Sequence, residues 1–278
     1  IELFDTKENK VVWSDRWQEK WDNLTTIKGS LSDGLLKALD TKPKVEQKVE
    51  TTNPEAYEYY LKAKHKYEKR ENTDDTEIAR GLLNKAIELD DNLISAKVLL
   101  GTTYSTEGDY DKAMGIYTPA LKQAEKIDDK VGMRYSLNSI GVVHYYKGNY
   151  DKAFDYYGRS LAMLEEIGDK RGMGASLNNI GIVYKAKGDL DTALDYLERS
   201  LEIKEELGDK GGMGSVLNSI GWFTGLLKGD YEKALDYYER SLTIQEELGD
   251  KYGMGYSLNI IGIVHSDKGD YEKAEEHL

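Results

Sequence analysis

The sequence predicts an all-α fold, a right-handed superhelical solenoid of helix-turn-helix repeats, preceded by a small α/β remnant of two strands and a helix. Three observations carry that expectation. Gly101, Gly141, Gly181, Gly221 and Gly262 recur at intervals of 40, 40, 40 and 41 residues, and a fixed period of this size marks stacked supersecondary units. Within one unit Leu177, Ile180, Gly181 and Tyr184 fall at i, i+3, i+4 and i+7, and a second stripe runs through Ala193, Leu194, Leu197, Ser200 and Leu201, the spacing that lines one side of a helix. Between the stripes stands Lys187-Gly188-Asp189, where the glycine suits a helix end of positive φ and the aspartate caps the helix that follows.

Taken in order, residues 1–40 differ from the rest. IELFDTKENKVVWSDRW reads as two short strands about a Thr6–Asn9 turn, with Val11 and Trp13 alternating against Val12. An amphipathic helix is expected next, with Ile27, Leu31, Leu35, Leu36 and Leu39 on its apolar side and Asn23 or Thr25 as cap. The WSDRW run and the helix after it resemble the end of the TolB-like module that precedes helical repeats in bacterial signalling proteins. Residues 41–53, TKPKVEQKVETTN, have no helical apolar period and read as a linker.

The repeat array is expected over residues 54–278 as about six units, the last cut short, so that the chain reads as an excerpt of a longer protein. The first unit departs most, with a longer turn and Ala63 where later units have glycine; Pro119 in the next unit is expected to kink its second helix. The linking sequence repeats the turn device, Gly208 ending one helix and Asp209 capping the next. Small residues Gly181, Ala193 and Ser200 at the close contacts, with Leu177, Ile180, Tyr184 and Leu197 filling around them, are similar to a tetratricopeptide repeat. A period of 40 in place of 34 resembles the lengthened repeats of kinesin-light-chain-like and Pins-like proteins and of bacterial cyclases and sensor kinases.

Composition narrows the function. The chain of 278 residues carries a net charge of −13, which disfavours nucleic acid, since phosphate binding needs a basic surface. Its apolar runs are far short of the roughly 20 residues a membrane helix needs. It has no cysteine, which removes thiolate chemistry, and a cytoplasmic setting is the simpler expectation. The four histidines lack ligand clustering, so no metal is expected; no phosphate-loop signature is present, and paired carboxylates such as Glu205 and Glu206 recur where nothing desolvates them. No catalytic residue, metal or cofactor is therefore assigned, and the chain is read as a binding protein.

Such an array exposes an inner surface built by the first helix of each unit and an outer one built by the second. The acids belong to the second helices: residues 189–207 hold seven acids and two bases, residues 173–187 two lysines and no acid. Asn138, Asn178, Asn218 and Asn259 each precede the repeat glycine by three residues. An amide offers donor and acceptor together and can pair with one peptide unit. Helices packed about 8–10 Å apart meet an extended chain, rising about 3.3 Å per residue, at roughly every third residue. The resemblance implies the same role, since in the lengthened-repeat families such asparagines clamp an extended peptide. The alternative is that they bond a neighbouring helix and fix register. Val98 fills the equivalent position earlier, so a ladder would span four units.

Around the amides lie variable residues: Tyr135, Ala175, Ser215 and Tyr256 one turn before, and Val142, Ile182, Trp222 and Ile263 one turn after. Tyr135, Val142, Tyr145, Ile182, Trp222 and Tyr256 join the asparagines as peptide-contact candidates, whereas Tyr156, Tyr157, Tyr237 and Tyr238 on second helices are expected only to pack. The expected partner is thus a protein or peptide in the concave groove. A regulatory or spacer array of a bacterial cyclase or kinase is the second reading. Self-association is the third, since an uncapped last repeat favours a homodimer. The copy IGWFTGLLKGD (220–230) carries one extra residue between Gly221 and Lys228; a π-bulge or a loosened last turn near Gly225 is expected to absorb it, leaving Trp222 on the groove side.

Overall fold

The computed structural model describes residues 2–5, 10–14, 51, 53–227 and 229–276. An antiparallel pair, β1 (Glu2–Asp5) and β2 (Lys10–Ser14), opens the chain with an irregularity between Leu3 and Phe4. The helix expected near 23–40, most of the linker, Lys228 and His277 lie outside the described residues. Helices follow from Pro54: α1 (Pro54–Glu68), α2 (Thr73–Leu89), α3 (Ile94–Thr106), α4 (Tyr110–Ile127), α5 (Lys130–Tyr146), α6 (Tyr150–Ile167), α7 (Lys170–Lys187), α8 (Leu190–Leu207), α9 (Lys210–Trp222) continued by a π-helical segment Phe223–Leu227, α10 (Tyr231–Leu248), α11 (Lys251–Asp267) and α12 (Tyr271–Glu276). Contacts divide them into two units, residues 1–143 and 144–278.

In the first unit α1 packs on α2 and α3 on α4, around a core of Ala56, Tyr57, Ala63, Leu83, Ala86, Leu93, Ala96 and Leu100. Arg80 is buried there without cost to its hydrogen bonding. Its guanidinium donates to Thr103 Oγ1 (2.9 Å) and the Thr103 carbonyl (3.0 Å), pairs with Glu77 and Glu107, and lies 4.0 Å from the Tyr104 ring centre, as a buried charge requires. Pro119 sits inside α4, which runs unbroken across it.

In the second unit the turn chemistry read from the sequence is in place. Gly188 has φ of 81°, the Asp189 N–H donates back to the Tyr184 carbonyl at 3.0 Å, and the Asp189 carboxylate accepts from the Thr192 N–H at 3.2 Å; helix stop and helix start thus occupy two residues. Gly208 and Asp209 do the same for the next junction. Between helices of one pair the small residues allow close approach. A Cβ on Gly181 would stand 2.9 Å from Leu197 Cγ, and one on Gly221 2.9 Å from Tyr238 Cζ, so bulk on α8 or α10 fills the space each glycine leaves. Ser200 and Ser241 donate to the Gly174 and Gly214 carbonyls at 2.7 and 3.0 Å. Leu197, Val216, Leu217 and Ile220 are fully buried, each such side chain contributing about 1.5–3 kcal/mol.

Ion pairs bridge neighbouring units of the repeat on the outside: Lys187 with Asp151 at 2.8 Å, Arg240 with Glu205 at 2.7 Å, and Lys268 with Glu232. Lys170 and Lys210 reach Glu206 and Glu247 at the far ends of their partner helices. Exposed pairs of this kind contribute at most about 1 kcal/mol each; register comes from the core.

Candidate peptide-binding face of the first helices

With Leu177, Ile180, Gly181 and Val183 of α7 buried, an accessible line runs through Arg171, Ala175, Asn178, Ile182 and Lys185, spaced 4, 3, 4 and 3. That spacing keeps one face of a helix. The same line on α9 is Gly211, Ser215, Asn218 and Trp222, and on α11 Tyr252, Tyr256, Asn259 and Ile263. On α5 it is Tyr135, Asn138 and Val142 in the first unit, with Tyr145 in the second. Three of the four asparagines therefore share the second unit. The predicted set is not equally exposed: Asn138, Asn178, Asn218, Val142, Tyr145, Ile182 and Trp222 are half-buried, while Tyr135, Tyr256 and Asn259 are exposed.

The asparagines also differ in what they already touch. Ser257 Oγ of α11 lies 3.2 Å from Asn218 Oδ1 and 2.9 Å from Gln245 Oε1. Its single proton is shared between the two acceptors, so Asn218 is held in a contact with the next first helix, the register role weighed above, without being saturated. Asn178 has no hydrogen-bonding partner among the described residues and keeps both halves of its amide accessible. Tyr145 packs on Tyr146 and Tyr150, ring centres 5.5 and 5.8 Å away. On the second helices Tyr157 and Tyr238 are buried, as expected of packing residues, and burial raises both phenols well above the ordinary value.

The copy with the extra residue keeps its frame as far as Phe223, which is buried where Val183 is buried in α7. The additional residue is taken up after that point. Asp230 N–H donates to the Thr224 carbonyl and Gly229 N–H to the Gly225 carbonyl, the Gly188-Asp189 turn with one more residue enclosed. Thr224 Oγ1 lies 3.1 Å from the Ile220 and Gly221 carbonyls and donates back to the last turn of α9. Gly225 is required by contact, since a Cβ there would meet Ala234 Cβ at 2.8 Å.

Trp222 stays on the accessible line, its ring edge-on to Phe223 at 5.4 Å and 90°. Lys185 of α7 places its ammonium 4.0 Å from the Trp222 ring centre, and burial holds that amine below the ordinary lysine value. Sequence reading selected Trp222 and missed Lys185. Its place on the line was readable, because Lys185 follows Asn178 by seven residues, two turns along the same helix face, but its contact with Trp222 was not.

An open hollow of about 410 Å³ lies over Lys251, Tyr252, Gly255, Tyr256 and Asn259. In the preceding repeats the Gly255 position is covered by the last turns of the second helix, Ile203 and Lys204 over Gly174, Ser241 and Gln245 over Gly214. Among the described residues no cluster of three metal-ligating side chains occurs and no helix is long and apolar enough to cross a membrane.

A family model described as tetratricopeptide repeat matches residues 92–166, 132–206 and 225–278, together more than half of the chain. Among solved structures the chain is similar to BtubC (BKLC) from P. vanneervenii, at 21% identity over 80% of this chain and 88% of that one, TM-score 0.62. It is similar to a signal transduction ATPase with numerous domains and a tetratricopeptide repeat sensor from Pyrococcus horikoshii, at 19% identity over 92% of this chain and 38% of that one, TM-score 0.68. A putative kinesin light chain from Podosopora anserina with nearly identical TPR-like repeats aligns at 14% identity over 66% of this chain and 90% of its own, TM-score 0.55. At these identities the likeness is one of fold. Among curated proteins none matches.

Proposed function

Because the chain belongs to the tetratricopeptide-repeat family, whose repeats form protein-interaction scaffolds, we propose that its second unit binds an extended peptide of a partner protein along the accessible lines of α7, α9 and α11. The observation that carries this reading is Asn178: a half-buried amide on a first helix, unbonded among the described residues, beside Ile182 and facing the copy that holds Trp222. An amide left with donor and acceptor free is matched by one peptide unit of an extended chain, while tryptophan and tyrosine offer the side-chain contacts that most often dominate binding energy.

Panning a display of random decapeptides against the full chain, and then against N178A/W222A, tests this. Recovered peptides should lose at least tenfold in affinity to the double variant while its melting stays within a few degrees. Recovery of binders indifferent to both substitutions would overturn it.

The second reading, a sensor or spacer array within a longer signalling protein, takes its motive from the Pyrococcus horikoshii protein, whose repeats are described as a sensor. It uses the same face, with the occupant supplied by another domain in place of a separate partner.

A further inference from the structure

The first helices of the second unit are short of acid in a protein that is rich in it. Asp and Glu make up 51 of 278 residues, so a helix of the length of α7 would by composition hold about three; α7 holds none, and neither does the stretch from Lys210 to Leu227. The lysines at the margins of α7 and α9 are already paired. Lys170 pairs with Glu206, Lys210 with Glu247 and Lys187 with Asp151, and Arg171 lies in the field of Asp209.

Lys185 is different. Among the described residues no carboxylate reaches it, and its one charged-group contact is the face of Trp222 at 4.0 Å, with Phe223 at 5.6 Å. A cation on an aromatic face is held in place by the ring quadrupole without losing its capacity to donate, so the ammonium is fixed in position with its hydrogen-bonding need unmet. The arrangement occurs in one copy. The residues four beyond the repeat glycine elsewhere are Tyr145, Gly225 and Ser266, and those one beyond it are Val142, Ile182 and Ile263. Lys185 shares a line with Asn178 about 10.5 Å away along the helix.

We propose that Lys185, mounted on Trp222, is the point at which this face selects a partner segment bearing a carboxylate, either an acidic side chain or a chain's C-terminus. The inference rests on the reading of the α7–α9–α11 face as a peptide groove and adds the chemical class of its occupant. The acidic second helices keep such a segment off the outer surface, and the acid-free α7 and Lys210–Leu227 stretch leave Lys185 unneutralised to receive it.

The test is a titration of the isotope-labelled full chain, followed by NMR at three side chains: the Asn178 amide, the Trp222 indole N–H and the Lys185 Cε and Nζ. Three peptides serve as probes: acetyl-Ser-Ala-Ser-Glu-Ser-Ala-Ser-amide, the same peptide with glutamine for glutamate, and acetyl-Ser-Ala-Ser-Ala with a free carboxyl terminus. The glutamate peptide is expected to move all three side chains and to bind about tenfold more tightly than its glutamine counterpart. K185M should erase that difference, and added salt should shrink it. A comparable gain with the free-terminus peptide assigns the carboxylate to a chain end, and no gain assigns it to a side chain. If glutamate and glutamine peptides move the Asn178 amide equally, the groove stands and carboxylate selection is overturned; if neither moves Asn178, the groove reading itself falls. An unchanged melting profile for K185M, with the buried Leu197 methyls unshifted, separates loss of recognition from loss of fold.

Discussion

Two copies of the same unit, α7–α8 and α9–α10, sit side by side in sequence, and one has a residue more than the other. Their interiors are nearly interchangeable. Leu177 and Leu217, Ile180 and Ile220, Gly181 and Gly221, and Val183 and Phe223 hold the same buried positions, and the swap of Leu197 for Tyr238 occurs where each fills the gap over its glycine. Their accessible lines are unlike: Asn178, Ile182 and Lys185 against Asn218, Trp222 and a π-helical turn. The repeat thus fixes what lies between helices and leaves free what faces outward, and the insertion is taken up beyond Phe223, the last buried position that the two copies share in register.

The strongest way to break that comparison is at the core. Leu177→Ala and Leu217→Ala should each cost about 2–5 kcal/mol in urea denaturation, and by similar amounts, because both side chains are buried to 2% exposure or less. A much smaller loss at Leu217 would show that the widened turn lets the bulged copy collapse around a cavity.

A finer probe concerns glycine inside helices. Gly158 in α6 has nothing within 4 Å of a built Cβ, so Gly158→Ala should stabilise by about 0.5–1 kcal/mol. Gly225→Ala gains the same propensity, yet its new methyl meets Ala234 at 2.8 Å, and overpacking should turn the balance to a loss of about 1 kcal/mol. Equal gains at both sites would mean that the π-helical turn is inherited slack and that Gly225 is not held there by contact.

The regular and bulged copies should also differ in response to acid. Three residues past the repeat glycine, α5 carries His144, stacked on Tyr156 at 5.4 Å, with Nδ1 buried and unbonded, whereas the π-helical segment that continues α9 carries Thr224. Burial first, then Lys152 and Lys147, hold His144 below the ordinary imidazole value of 6.5. The unfolded chain therefore binds the proton more tightly than the folded one. Its contribution is whole above 6.5 and is lost as pH falls through that value towards the lower folded one. Thermal melts from pH 7.5 to 5 should show a decline that His144→Gln reduces; a variant with the same pH profile would acquit this histidine.

Much of this was legible in the sequence, and the reason is periodicity. The helix pairs, the positive-φ glycines, the aspartate caps and the π-bulge near Gly225 all follow from where a pattern repeats or fails to repeat, and a pattern is visible in one dimension. Lys185 on Trp222 was not read, because a contact between neighbouring copies depends on side-chain reach across two helices, which no spacing along one helix encodes. The same limit applies to Asn218. Its fourfold recurrence suggested four equivalent amides, but whether an amide is spent on its neighbour turns on what stands opposite, here Ser257 with Gln245, where the position of α9 that corresponds to Ser257 carries Val216, which has no hydroxyl to offer Asn178.

That difference yields the smallest and most discriminating expectation. Asn218→Ala removes one member of a hydrogen-bonded set with Ser257 and Gln245 and should cost about 0.5–1.5 kcal/mol. Asn178→Ala removes no bond within the described chain and should change stability by less than about 0.5 kcal/mol, the range of ordinary surface substitutions. Differential scanning calorimetry of the two variants decides the matter before any ligand is in hand. If Asn178→Ala melts with the loss expected of Asn218→Ala, the amide already has a structural partner, and the ladder is a device for register in every copy. If only Asn218→Ala loses stability, one repeat of the pair has committed its amide to the array, and the other has kept it for a molecule that is not part of the chain.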